Sequence, residues 1–374
     1  MQSPMTHTST RRLTAHRAAP LIVGGGPAGA AAAIALAEAG RAPLLIERDA
    51  ETRDALCGGF LSWATIDRLT RLGVDPLGLG AHRIERLALF AGQRSAETRL
   101  PAPAAALSRR ALDTALLERA RAAGAAVERG LGVRALEEGR LRLEDGAEIA
   151  GDHLILATGK HELRGSARPR PGGDVAVGLR WRLGASPALT RLVAGRIELH
   201  LFRGGYAGLV LQEDGGANLC LATRRSRLAE GEGRPDRLLA ALAVEAPALA
   251  ARLEAAGSVG APQAIANIPY GWRARAGEPG LYRIGDQAGV IPSLAGEGIA
   301  IAIASGIAAA GAIARGEPAE RFQPALARRL RLPIAVAGSL WRLAERPAGA
   351  RALIAATRVL PGLAGFAGRI TRVD

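Results

Sequence analysis

Residues 19–47 read APLIVGGGPAGAAAAIALAEAGRAPLLIE, and this stretch decides the fold. Ala19 to Val23 is a short apolar run of the kind that forms a strand buried on both faces. Gly24, Gly26 and Gly29 follow in a Gly-x-Gly-x-x-Gly spacing, with Pro27 and Ala28 completing the turn. Ala30 to Ala39 has helical composition and Gly40 stops it. Pro43 to Ile46 reads as a second strand, with Glu47 at its end and Arg48 beside it. In such a unit the first glycine permits the tight bend, the second lets backbone approach a pyrophosphate, and the third lets the helix pack on the strand. The helix N-terminus offers unpaired N–H groups and a favourable dipole to the phosphates. Glu47, 18 positions beyond Gly29, stands where an acid can accept hydrogen bonds from an adenosine ribose.

Working outward, the 374 residues suit two interleaved domains on one nucleotide-binding scaffold. Apolar residues make up 48% but aromatics only 3%, so the core must be built mostly from Ala, Leu, Ile and Val. The net charge of +14 invites a nucleic-acid reading. The arginines are scattered, however, Lys160 is the single lysine, and no helix-turn-helix, finger or RNP pattern accompanies them, so no nucleic-acid partner is expected. Cys57 and Cys220 form neither a disulfide framework nor a zinc site; no metal is expected, and a reducing cytoplasm is the natural compartment. Residues 1–18 are polar, lack the apolar core of a signal peptide, and read as a disordered start. The apolar run Ile299 to Ala314 falls short of the ~20 residues needed to cross a bilayer and reads as a buried helix.

The rest of the chain alternates in kind. A Gly-bearing loop spans Ala55 to Leu61, a helix Trp63 to Leu72, strands Arg83 to Phe90 and Glu97 to Leu107, and a helix Arg109 to Ala123 capped by Ser108. Short strands with hairpin turns at Gly139 and Asp145-Gly146 lead to the strand His153 to Ala157. From Asp174 to Thr223 four strands with glycine turns suggest an antiparallel sheet. Arg237 to Ala256 is expected as one helix, Gln263 to Ile268 and Leu281 to Ile284 as strands, and Gly296 to about Leu360 as mostly helix, including an Arg-rich helix from Leu326 to Leu343.

Two later strand ends single out FAD over NAD: LILATG at 154–159 and LYRIGDQAG at 281–289. Asp286 can accept a hydrogen bond from a ribityl chain, and Pro292 with Gly296 to Gly298 leads into a helix whose N-terminus would face the pyrimidine edge of a flavin. The set GGGPAG at 24–29, Glu47, CGG at 57–59, Arg109-x-x-Leu112-Asp113, ATG at 157–159 and GDQAGVIPSLAGEG at 285–298 resembles the FAD-dependent aromatic hydroxylases and geranylgeranyl-reductase-like flavoproteins. It occurs in family order over residues 19 to about 315. The resemblance implies a Rossmann-type FAD-binding domain of the glutathione-reductase kind, an inserted antiparallel substrate sheet and a helical C-terminal tail. It assigns Gly159, Gly285, Asp286, Pro292, Gly296 and Gly298 to the cofactor beside the 24–29 turn, Glu47 and Arg48, with Arg109 at the phosphate or ribose.

The implied division is residues 1–18 as the disordered start; 19–80, 105–170 and 275–320 as the FAD-binding domain; 81–104 and 171–274 as the substrate domain; and 321–374 as the tail. The expected activity is FAD-dependent oxidation–reduction, most simply hydroxylation of a hydrophobic aromatic or polyketide-type molecule with O2 and a transiently docked NAD(P)H. Reduction of isoprenoid double bonds is the alternative, favoured by CGG and by the Ala288-Gly289 ending. A non-enzymatic basic protein binding nucleic acid or membrane is the third. There is no Trp-x-Trp-x-Ile-Pro, which argues against halogenation. Cys57, Lys160, Pro292 and Glu297 are the candidates for direct roles, and Tyr206, Tyr270 and Trp272 for a pocket wall. Lys160 could meet an anionic substrate or a phosphate, and Trp341 with the Arg-rich helix could touch a membrane surface, although a solvated amphipathic face is the simpler reading.

Overall fold

The computed structural model of the protein describes residues 19–169, 172–360 and 362. The expected disordered start lies outside them, as does most of the end of the tail. Sixteen strands are described: β1 (Leu21–Val23), β2 (Leu44–Glu47), β3 (Phe60–Leu61), β4 (His82–Ala91), β5 (Arg94–Ala106), β6 (Ala126–Arg129), β7 (Val133–Glu137), β8 (Arg140–Leu143), β9 (Glu148–Ala150), β10 (Leu154–Leu156), β11 (Ala176–Leu183), β12 (Arg196–Phe202), β13 (Gly205–Leu211), β14 (Ala217–Arg224), β15 (Gln263–Ile268) and β16 (Leu281–Arg283).

Five of these make a parallel sheet in the order β16-β10-β1-β2-β6. Its three central strands, β10, β1 and β2, carry almost nothing but Leu, Ile and Val, as strands covered on both faces must. The ends of β1, β10 and β16 therefore sit side by side, although they are far apart in sequence. On one face the helix Pro27–Glu38 packs against the helix Gly298–Ala314. Both are rich in Ala and Gly, and the fit is close: a Cβ on Gly306 would sit 2.4 Å from the carbonyl oxygen of Ala28. Ala30, Ala31, Ala32 and Ala33 are completely buried. The apolar run at 299–314 is thus a core helix, and among the described residues no helix is long and apolar enough to cross a membrane.

The second sheet has eight strands in the order β15-β11-β14-β13-β12-β4-β5-β3. It is antiparallel, as expected, except where β12 runs parallel to β4. That junction joins two separate excursions of the chain, so no hairpin dictates its direction. The helices Pro235–Glu245 and Pro247–Ala255 cover this sheet together with Pro187–Val193, forming a core around Trp181, Leu209 and Leu242. The hairpin region folds as a small third sheet, β7-β8-β9.

Two expectations are corrected and one unforeseen helix is added. The helix expected over 237–256 is two helices, because Pro247 forces Ala246 out of the helical region (φ −128°, ψ 85°). The helix expected over 326–343 is likewise broken at Leu330 into Ala319–Arg329 and Arg331–Ala344, with Pro333 in the first turn of the second, where its missing N–H costs little. The helix Pro187–Val193 was not anticipated, though its signal was present: Ser186 accepts from Leu189 N (3.0 Å) and Pro187 opens the first turn.

Candidate functional site

Gly24 bends the chain from β1 into the helix at φ +107°, and a Cβ there would lie 2.5 Å from the Ala157 carbonyl oxygen. At Gly29 a Cβ would fall 1.9 Å from Gly24 O, so only glycine lets the helix seat on its own turn. Gly26 precedes the helix with no side-chain cap, and the Gly298 helix is also uncapped. Both N-termini open into one continuous cavity of about 810 Å³. The cavity is lined by the 24–28 turn, by residues 157–163 and by Gly285 and Asp286, with Ser293, Gly296 and Gly298 beyond. The three glycine-bearing loops therefore meet along one groove.

At its outer end Glu47 lines the wall, held by Gly25 N to Oε2 (2.6 Å) and Asp49 N to Oε1 (2.9 Å). Arg48 donates to His161 Nε2 (2.9 Å). Arg109 lies beside Gly26 and is gripped in a two-pronged pair by Asp113 (2.9 and 2.7 Å). Burial opposes its charge, but Asp113 more than offsets this and holds the guanidinium above its ordinary range. Lys160 reaches from the second loop to Asp286 Oδ2 of the third (3.6 Å). Burial pulls its ammonium down, while Asp286, Cys57 and Tyr270 together hold it above the usual lysine value. Gln287 adds a second tie, donating from Nε2 to the carbonyls of Gly159 (3.0 Å) and His161 (2.9 Å).

Cys57 also lines the cavity, and its loop is pinned from the large sheet. Asn218 Nδ2 donates to Cys57 O (2.8 Å) and Gly58 O (2.9 Å), and Cys220 Sγ donates to Cys57 O (3.0 Å). Burial pushes the Cys220 thiol up to about 12, so it stays protonated at neutral pH and keeps the proton it donates to Cys57 O. Arg180, on β11, links Asn218, Gln263 and Asp54; Asp54 Oδ1 in turn accepts from the backbone N of Arg109 (3.0 Å). Sequence reading missed Asp54, Arg180 and Asn218, since the contacts joining them span 38 to 126 positions.

The inner end is apolar, walled by Ile197, Leu199, Val210, Ile265 and Val290. Tyr206 and Tyr270 stand here and converge on one hydroxyl: Tyr206 OH donates to Ser293 Oγ (2.9 Å), and Tyr270 OH is 2.6 Å from the same atom. Burial raises the pKa of both phenols, so they remain protonated. Four residues singled out in the sequence do not line the cavity. Trp272 does not line the cavity; it packs with Ala176, Ile268 and Val290 under the Arg168 guanidinium, 5.7 Å from the ring centroid. Pro292 is buried and opens the 293–295 turn. Glu297 is buried at the helix start, 3.5 Å from Ser62 Oγ, and does not line the cavity. Trp341 faces inward, edge-on to Tyr206 at 5.7 Å between centroids. Among the described residues no cluster of three or more His, Cys, Asp or Glu could hold a metal.

This arrangement fits FAD. The glycine cradle admits phosphates to backbone, Glu47 and the Arg109 corner suit the adenosine half, and the uncapped helix at Gly298 suits the electron-rich edge of the ring system. Residues 17–157 match the family described as FAD binding domain. No curated protein matches the chain. The fold is similar to that of the flavin-dependent brominase Bmp2 (18% identity, 95% of this chain and 94% of that one, TM-score 0.77). It is also similar to pqsL, a probable FAD-dependent monooxygenase from Pseudomonas aeruginosa (18%, 90% and 99%, TM-score 0.69), and to CmlS, a flavin-dependent halogenase (20%, 87% and 64%, TM-score 0.70). With an FAD-binding sequence over 17–157 and three glycine-bearing loops around one groove, this chain carries an FAD-binding domain and shares the fold of these flavin-dependent enzymes.

Proposed function

We propose that this flavoprotein is a monooxygenase acting on a hydrophobic aromatic or polyketide-type molecule that carries at least one hydrogen-bond-accepting oxygen. The observation that carries this reading is the Tyr206–Ser293–Tyr270 cluster in an otherwise apolar chamber that continues the cofactor groove. FAD, when bound and reduced by a nicotinamide that docks only transiently, supplies the chemistry of oxygen activation. The protein's own part is to bind, orient and exclude water. Tyr206 donates to Ser293 Oγ, and in the arrangement where Tyr270 donates as well the serine keeps its proton for an acceptor on the ligand. Two incoming donors in that arrangement would also polarise the serine O–H and strengthen it. The aliphatic wall supplies affinity for the rest of the molecule, and Lys160 contributes a positive charge near Tyr270 that favours an electron-rich oxygen. The known complex of PqsL with 2-aminobenzoylacetate, an aromatic molecule bearing such oxygens, agrees with this class of ligand.

The test is NAD(P)H oxidation by the holo-protein, with and without oxygen, across a panel of phenolic, aryl-ketone and isoprenoid compounds. Oxygen-dependent formation of a hydroxylated aromatic product is expected. Anaerobic reduction of isoprenoid double bonds, with no oxygen entering the product, would replace this reading with the reductase one.

A further inference from the structure

The Arg331–Ala344 helix has two contrasting faces. Its inner face buries Ile334, Ala337, Trp341 and Ala344, and Trp341 leans on Tyr206 and Tyr270 at the apolar end of the cavity. On its outer side Leu332, Val336, Leu340 and Leu343 recur at helical spacing and form one stripe. Leu332 is 60% exposed and Leu343 40%. With Ala335 and Ser339, the last three of these line a shallow surface groove. Single exposed leucines are ordinary, whereas an aligned row of apolar side chains is the pattern that marks interaction surfaces.

The charge around the stripe has one sign. Residues 321–360 carry eight arginines and a single carboxylate, Glu345, a net of +7 beside +14 for the whole chain. Glu345 is already engaged by Arg224 from β14 (2.7 and 2.9 Å). Arg331 and Arg342 are exposed on the flank of the same helix, and Arg328 and Arg346 are exposed at its two ends. An apolar row bordered by guanidinium groups complements an interface that is oily within and anionic at its surface. A second copy of the chain is disfavoured, because a two-fold contact would press two arginine-rich faces together.

We infer that the outer face of the Arg331–Ala344 helix docks on an anionic lipid bilayer, with its leucine row in the headgroup boundary and its arginines on lipid phosphates. The helix lies along the surface and does not cross it. The inference does not depend on the reaction. It places the apolar end of the cavity, through Trp341, one helix away from the lipid.

The experiment is co-sedimentation of the full-length holo-protein with vesicles of phosphatidylcholine alone or with about 30% phosphatidylglycerol. Binding to the anionic vesicles is expected, roughly tenfold or more above the neutral ones, falling at about 0.5 M salt. The double variant Leu332→Gln/Leu343→Gln should lose about tenfold in affinity, as should Arg331→Gln/Arg342→Gln. These side chains are exposed, and flavin absorbance with the unfolding midpoint checks that each variant is folded. The two variants remove different chemistry, so a fault in one leaves the other decisive. No binding to anionic vesicles at low salt overturns the inference. Binding that survives the leucine substitutions also overturns it. A wild-type dimer in light scattering that the leucine variant abolishes would assign the face to a second copy and overturn it as well.

Discussion

Arg180→Leu should uncouple the large sheet from the flavin-site loop, and its cost can be worked from the contacts. Arg180 is only 4% exposed. Its Nε donates to Asn218 Oδ1 (2.6 Å), Nη1 to Asp54 O (3.0 Å) and Gln263 Oε1 (3.1 Å), and Nη2 to Asp54 Oδ2. Removing one partner of a fully buried ion pair costs about 3–5 kcal/mol. The Asp54 side chain is 27% exposed, so solvent screening moves its share to the low end or below. Leaving Asn218 Oδ1 without its donor adds about 1 kcal/mol. Leucine returns part of this by avoiding desolvation of a guanidinium, so the net expectation is a loss of about 3 kcal/mol. Because Asn218 and Asp54 hold the Asp54–Gly59 wall of the cavity, FAD affinity should fall with stability. Urea unfolding followed by flavin fluorescence measures both. A double-mutant cycle with Asp54→Asn should show coupling of about 1–2 kcal/mol, since the double variant no longer strands a buried charge. If Arg180→Leu unfolds within about 0.5 kcal/mol of wild type and keeps its FAD, or if the two substitutions are additive, Arg180 is not the link between sheet and loop.

Gly24→Ala should yield a folded but colourless protein, because its Cβ would lie 2.5 Å from Ala157 O and push apart the first and second loops; bound FAD per chain is the readout. Ser293→Ala should lower kcat/KM by about tenfold, the worth of one well-placed hydrogen bond, for substrates with an acceptor oxygen, with FAD content unchanged. On the acid side, His200 is buried beside Glu198 and Arg252, and burial holds its pKa below the ordinary value, opposed in part by Glu198. The unfolded chain therefore takes up this proton first, and stability should fall as pH drops through about 6.5, by up to about 1.4 kcal/mol per pH unit. His200→Asn should flatten that slope in denaturant titrations at a series of pH values. Glu198, whose pKa is lowered chiefly by its bonds to His200 and Arg252 against burial, gives stability that is lost only at still lower pH.

The parts of the site that were legible in the sequence are those whose constraints are local. Gly24 and Gly29 must be glycine because atoms a few residues away, or one strand over, would collide with a Cβ. The buried strands announce themselves by runs of Leu, Ile and Val. Ser293 was passed over because a serine in a loop has no distinguishing pattern until two tyrosines, 87 and 23 positions earlier, arrive at its oxygen. Trp341 had two readings in the sequence, a membrane contact because its helix is rich in arginine and, more simply, an amphipathic face covering the core. The same helix is amphipathic, and the indole lies on the other side from the leucine row. Trp272 follows Tyr270 by two positions on a turn, and two positions were enough to direct it away from the chamber.

The tight seating of Gly306 against Ala28 also acts as a ruler. Each of those two helices presents one open end to the groove, and with no side chain between their backbones the gap separating the ends has no slack. The two ends therefore stand at a fixed separation along the groove that a bound dinucleotide would have to match. Widening the helix pair by a single methyl would miscalibrate the spacing and so change which flavin the protein retains.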